Sequence, residues 1–573
     1  MRKIVSLFLV LCLAFTGTTT YAADSYMKAT GLISSIKLNG EPIQLDGLTI
    51  QGSNYFKLRD LAAAFSGTPS QFDVSWSSEH NAVEIHTGKS YSVTKVDDDP
   101  FFQSNMNYMV KPTDSTLFVD GKAVPIQAYN KEGSNYFKLR DLGKLIPFEV
   151  SFNGVENEIQ LFSNLADNSY RVTTAFAFSD NTVSSRYPRW KETIKSYLTP
   201  NDDGTVSVIE EKENKVTVET YDSQYRLVAQ KRFDNELPLF GGFYSGAKGY
   251  YIAYGQENHE ENDNKEVIRI VRYDKSFNRI DSVSVKGGES FTTVPFNAAA
   301  GRMAENGDTL VFHTSRERYT TEDGLNHQSQ LTIIVDTSKM QVINNLGRFQ
   351  SNHVSHSFDQ YVLFDGNEQV LLDHGDAYPR SIVLHKGNGT SYEETDLFKI
   401  PGAIGANTTG VSIGGFEMSA SNYITAMNTI DHSKVIEYTS YEMKGLPVDR
   451  RDIILTLLPR NNMQASAVKT VKLASYTASE LFASIPKLVK INDDKLMVMW
   501  QEFTKEGNPS GLKYVYIDGK GNVMGEIQSL DHFLLSDSQP IVIKNQVVWY
   551  VNANGLRAFY TIPSVAKLPH YRM

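Results

Sequence analysis

The decapeptide Gly52-Ser53-Asn54-Tyr55-Phe56-Lys57-Leu58-Arg59-Asp60-Leu61 recurs without a change at residues 133–142. An identical string at that separation marks a duplicated structural unit, and the rest of the fold is read around it. Upstream of each copy, an Asn-Gly or Asp-Gly pair (Asn39-Gly40, Asp120-Gly121) sits between apolar residues. Such pairs mark two-residue hairpins, because glycine accepts the positive φ that the turn demands. Downstream, Phe72, Val74 and Trp76 alternate, as do Phe148, Val150 and Phe152, and Val83/Ile85 and Ile159/Leu161 follow. That period of two predicts a second hairpin with one buried face.

Between the hairpins the period changes. Leu58, Leu61, Ala62 and Phe65 fall at i, i+3, i+4 and i+7, and Leu139, Leu142, Leu145 and Ile146 nearly repeat them. Each set forms one apolar stripe on a short helix, with Lys57, Arg59 and Asp60 expected on the solvent side. Each copy therefore reads hairpin, helix, hairpin, the helix packed on a small antiparallel sheet.

This pattern resembles the copper amine oxidase N-terminal-like domain, or stalk domain, over residues 30–163, with both halves matching. The commoner family form has Val-Pro where Phe56-Lys57 and Phe137-Lys138 stand. The resemblance implies an exported protein of Gram-positive bacteria and a surface-presenting scaffold without chemistry of its own. Oxidase activity is not implied. Copper and the tyrosine-derived quinone belong to a separate catalytic domain of those enzymes, which needs a His-x-His pair and an Asn-Tyr-Asp/Glu setting. The sequence has no His-x-His, and its Asn-Tyr pairs (Asn54-Tyr55, Asn107-Tyr108, Asn422-Tyr423) continue with Phe, Met or Ile.

Residues 1–22 read as a signal peptide. Arg2 and Lys3 precede an apolar run over 4–15, too short for a confident membrane span, and Thr20-Tyr21-Ala22 places small residues where cleavage after about Ala22 is expected. The single cysteine, Cys12, lies inside this segment behind Leu11, where lipoprotein processing prefers Gly, Ala or Ser. The mature chain then has no disulfide, no thiol nucleophile and no Cys-ligated metal. No second apolar run is long enough to span a bilayer, so no membrane span is expected in the mature chain. The net charge of −10 disfavours nucleic acid as a partner. The expected location is secreted or cell-wall associated.

Residues 165–573 carry little helical period. Short alternating runs follow one another, and a Tyr/apolar-Asp pair recurs at turns: Tyr221-Asp222, Tyr273-Asp274, Val335-Asp336 and Ile517-Asp518. Four-stranded propeller blades repeat at about this spacing, and the length suits roughly six to eight of them. The expected fold class is therefore mainly β: a small α+β duplicated domain of hairpins and short helices over 30–163, then a large β-propeller-like domain. A pair of large β-sandwiches is the rival architecture.

The densest polar cluster is 373–380, from which His374, Asp376, Tyr378 and Arg380 are candidate binding residues, with His353 and His356 upstream. A hairpin loop using Asp, Gly and Pro for turn chemistry explains the same residues. Three acidic runs, at 97–99, 201–204 and 260–263, lack the ligand spacing of a twelve-residue calcium loop. Neither Gly-x-Ser-x-Gly nor a phosphate-cradling loop with Lys occurs. No cofactor and no metal are expected. The functional expectation is an exported, non-enzymatic surface protein, its propeller binding cell-wall glycan or another surface protein. The alternative is a secreted polysaccharide hydrolase or lyase with its site at the propeller mouth, where paired carboxylates need not be near in sequence.

Overall fold

The structure, a computed structural model, describes residues 26–564 except 39–40, 69, 93–101, 114, 144, 147, 154–156, 164–168, 440–442, 446 and 532. The fold is mainly β, and the chain divides into two compact units, residues 1–150 with 157–164 and residues 151–156 with 165–573. The signal segment, the Asn39-Gly40 turn and the acidic run at 97–99 lie outside the described residues.

In the first unit, the strand that opens the decapeptide, Ser53–Lys57, runs into the helix Leu58–Phe65, and its twin Ser134–Lys138 runs into the helix Leu139–Leu142. The two decapeptide strands pair with each other inside a closed six-stranded barrel. The hairpins are exchanged between the copies. Ser35–Leu38 of the first copy pairs in parallel with Glu158–Ser163 of the second, and Ala82–Thr87 of the first pairs in parallel with Thr116–Val119 of the second. The expectation of an all-antiparallel sheet within each copy is thus corrected: each sheet takes one hairpin from either copy, joined by a parallel seam. Both helical stripes then enter one core, with Leu58 and Leu139 only 3% and 2% exposed.

Three local expectations change. Asp60 is buried rather than solvent-facing; it lies in the first helical turn, where free amide groups favour a carboxylate. The second helix stops at Leu142 before Gly143, although Leu145 and Ile146 still bond back to the Leu142 carbonyl. Trp76 and Phe152, the outermost aromatics of the two downstream hairpins, are exposed instead of buried.

Among the described residues, the second unit contains seven sheets of four or five antiparallel strands, taken in chain order. The first strand of five residues or more is Ser196–Pro200, Leu239–Ser245, Arg302–Asn306, Ser357–Asp365, Val411–Met418 and Lys487–Asn492 in the first six, and in the seventh the three-residue Ile541–Ile543 takes that place. The seventh sheet takes its fourth strand, Ser169–Val172, from the start of the unit, with Ser169 opposite Tyr560. Each sheet is hydrogen-bonded to the next through side chains. Tyr250 Oη donates to Asn201 at 3.1 Å, Tyr244 Oη accepts from the Glu305 amide at 3.2 Å, and Arg302 reaches Asp359 at 2.8 Å. Arg460 reaches Asp365 at 3.1 Å, Ser419 reaches the Gly519 carbonyl at 2.7 Å, and Gln539 reaches the Leu488 carbonyl at 2.7 Å. The series returns to its start where Tyr550 Oη donates to Glu210 at 3.0 Å.

That last junction is buried and charged. Arg557 of the seventh sheet lies between Glu210 and Glu219 of the first and forms ion pairs with both. Tyr221 donates to Glu219 at 2.7 Å, and the Ala175 and Phe176 amides point at the same carboxylate. Both carboxylates raise the guanidinium pKa well above its ordinary value, against the pull of burial. Turns between third and fourth strands use the recurring Asp as the sequence suggests. Asp222, Asp274 and Asp518 each accept two backbone amides, two and four residues on, and Asp336 accepts one two residues on.

Candidate functional site

The expected loop is shorter than 373–380: His374 and Asp376 end strand Glu368–Asp376, Arg380 opens strand Arg380–Gly387 of the same fourth sheet, and Tyr378 lies in the three-residue turn between them. Their polar groups are engaged internally. Asp376 is ion-paired with Arg380, accepts the Asn407 amide at 2.9 Å, and meets His356 at 3.4 Å. Arg380 also donates to the Pro401 and Thr408 carbonyls. His374 is buried, bonds Thr409 at 2.9 Å, and burial pushes its imidazole down to about 4. Of the four, only Tyr378 is largely exposed, at 67%. The neighbouring Asp373 turns away toward His313 at 3.0 Å and Ser357 at 2.6 Å. These residues are brought together, and their hydrogen-bonding capacity is spent on folding the loop.

The first long strands of the seven sheets carry a second set that sequence reasoning missed. Arg302 pairs with Asp359 and lies 3.5 Å from the Tyr361 ring centre. Lys487 is 8% exposed and donates to the Asp537 carbonyl at 2.6 Å. Burial pushes its amine down to about 7; Asp537 and Asp359 oppose the shift while Lys191 and Arg302 add to it. On the neighbouring fifth-sheet strand, burial pushes Glu417 up to about 7 against the attraction of Lys490. The only sequence signal for this set is an isolated charge within an apolar strand. A strandless segment, 173–195, bonds to strands of the first and fourth sheets and to loops beside the fifth and seventh. The Val183 amide donates to the Leu535 carbonyl, Tyr187 Oη accepts from the Thr409 amide, the Lys191 amide donates to the Phe358 carbonyl, and the Lys195 carbonyl accepts from the Glu211 amide.

A third place is a groove of about 490 Å³ where the first and second sheets meet. Val218, Tyr250 and Phe277 supply apolar surface, and Asn201, Ser207, Thr220 and Gln230 supply amides and hydroxyls. Tyr250 stacks on Phe277 at 4.3 Å between ring centres, and the Lys275 ammonium lies 4.5 Å from the Tyr250 ring centre. Lys231 is fixed by three acceptors on 276–278, each at 2.9 Å. The acidic run at 201–204 forms part of the wall, where Asp203 accepts from the Thr205 amide and hydroxyl. The run at 260–263 is likewise tied up, Glu260 with Lys265 and Glu261 with Thr320. Among the described residues, no group of three or more His, Cys, Asp or Glu is placed to hold a metal ion.

No family model matches the sequence, and no curated protein matches it either. Among solved structures, the Trp149Ala mutant of the Synechocystis apocarotenoid oxygenase is similar at 10% identity and a TM-score of 0.29, covering 61% of this chain and 64% of that one. A protein of unknown function from Dyadobacter fermentans is similar at 9% identity and a TM-score of 0.35, covering 62% of this chain and 100% of that one. A prolyl endopeptidase structure is similar at 12% identity and a TM-score of 0.35, covering 86% of this chain and 54% of that one. Likeness at these scores carries neither activity across.

Proposed function

We propose that this is an exported, non-enzymatic protein of the bacterial surface, with the duplicated first unit as a stalk-type scaffold and the second unit as a seven-bladed β-propeller that binds glycan. The signal-like residues 2–22 support export. The propeller reading is supported by seven consecutive antiparallel sheets, each bonded to the next, with the last completed by a strand from the start of the unit. Closure of that kind removes exposed sheet edges without disulfides.

The observation that carries the binding reading is the groove at Asn201, Gln230 and Phe277. Sugar rings present hydroxyls at their rim and C–H groups on their faces. A concave site with apolar floor and a few fixed polar groups matches both. Electrophoresis in gels containing soluble cell-wall polysaccharides tests it: the wild type is retarded, and Gln230→Ala combined with Lys275→Ala runs freely. Equal retardation of the two proteins contradicts the assignment. The second reading, a polysaccharide hydrolase or lyase, is favoured by Arg302, Asp359 and Lys487 on the first long strands of their sheets; loss of turnover in Asp359→Asn is its signature.

A further inference from the structure

Arg316 and Arg318 lie two residues apart on strand Thr309–Arg318 of the third sheet, so their side chains share a face. Both are buried, at 1% and 4% exposure. Arg316 is fully used: it donates to the carbonyls of Ser290 at 2.8 Å, Gly347 at 3.2 Å and Arg348 at 3.3 Å, to the Gln330 carbonyl, and to Ser329 Oγ. It thereby pins the loop at 347–348 over the strand. Arg318 has no such set. Its Nε and Nη1 are buried without a hydrogen-bond partner, and Phe349 covers its guanidinium at 4.7 Å from the ring centre.

The surroundings are cationic. Arg348 is exposed and stacks on Phe291, and His353 packs against Phe349. Burial, then the charges of Arg318 and Arg316, hold the His353 imidazole down to about 4. The acids that sense this cluster are committed elsewhere: Asp323 to His327 at 2.7 Å, Asp373 to His313, and Glu261, which feels Arg348, to the Thr320 amide at 2.7 Å. A buried cation with unmade hydrogen bonds and like-charged neighbours is costly. An anion that supplies the missing acceptors removes that cost.

We propose that Arg318, Arg348 and His353 form a binding site for a tetrahedral oxyanion, phosphate or a phosphate ester, with Phe349 as its movable cover. A planar carboxylate is satisfied by one guanidinium edge, whereas these donors approach from a strand and from a loop and suit oxygens arranged in three dimensions. Phe349 is 58% exposed and so is free to swing aside. The site shares no residue with the groove of the first two sheets and stands whether or not that groove binds sugar.

Inorganic phosphate is the first probe, on the full mature chain. Phosphate raises the melting temperature relative to sodium chloride at equal ionic strength. Arg318→Leu melts higher than the wild type without phosphate and gains nothing from it. Arg348→Ala, at an exposed position, binds phosphate at least about tenfold more weakly, as the loss of a charge-assisted contact predicts. Glycerol 3-phosphate and a glycerol phosphodiester, compared with inorganic phosphate, separate a free ion or chain end from a polymer backbone as the source. Absence of a phosphate-specific shift, a shift retained in Arg318→Leu, or unchanged affinity in Arg348→Ala overturns the proposal.

Discussion

Phe56 and Phe137, the same residue of the two decapeptide copies, are direct partners across the seam where the copies meet. Tyr136 faces Lys57 and Lys138 faces Tyr55 on either side, so the register is self-complementary about that central pair. The seam is an isologous contact of the kind found in two-fold dimers, here contained in one chain. Exchange of the hairpins follows the same symmetry, so neither copy can bury its core without the other.

Leu58 and Leu139 begin the two helices at equivalent positions and enter the same core. Replacing either with Ala should cost about 2–5 kcal/mol, the range for a buried Leu with a residual cavity. Denaturant unfolding of the first unit measures this. A change below about 1 kcal/mol in either variant is incompatible with the shared core.

Arg557 joins the seventh sheet to the first. Arg557→Met leaves Glu210 and Glu219 buried beside each other without a cation, a loss of about 3–5 kcal/mol where one partner of a buried pair is removed. Chemical denaturation of the second unit should show it. Wild-type stability in this variant would mean that the junction does not hold the sheets closed.

Lys487 makes stability depend on pH. Its amine titrates near 7 in the folded protein and near 10.5 when unfolded. Between those values only the unfolded chain holds the proton, so folding stability rises with pH across that window and is flat below it. Lys487→Met removes the dependence. Its stability advantage should therefore be largest at pH 7 and below and should disappear near pH 10.5. An advantage that is independent of pH means the amine is not desolvated.

His374 lies near the end of strand Glu368–Asp376 with Thr409 as its partner. Purified protein should be metal-poor after dialysis, and a chelator should leave its melting temperature unchanged, because a tight transition-metal site needs several fixed deprotonated ligands. Stoichiometric copper or zinc that disappears in His374→Ala would contradict this.

Much of the local structure was legible in the sequence. The decapeptide marked the duplication and its apolar stripe marked both short helices, but not the strands Ser53–Lys57 and Ser134–Lys138 that run into them; the Asp after Tyr221, Tyr273, Val335 and Ile517 marked turns, since an Asx turn is a local interaction. Pairings between distant segments were not legible. Ser35–Leu38 beside Glu158–Ser163, and Ser169–Val172 beside Leu556–Pro563, are set by which edge is left open after local hairpins form. Residues 373–380 stood out because their charges are adjacent in sequence; of these Asp376 and Arg380 pair with each other, whereas His374 and Asp373 find partners in Thr409 and His313, far along the chain. Arg302, Asp359, Lys487 and the groove residues come from separate strands, and each alone looks like an ordinary strand residue.

The proposed function is binding without turnover. Titration calorimetry of the mature chain with soluble cell-wall polysaccharides distinguishes the two directly. Binding gives heats that saturate and are lost when Gln230 and Lys275 are both replaced by Ala, and this is the predicted result. A steady heat of turnover that survives those replacements and stops in Asp359→Asn would contradict it.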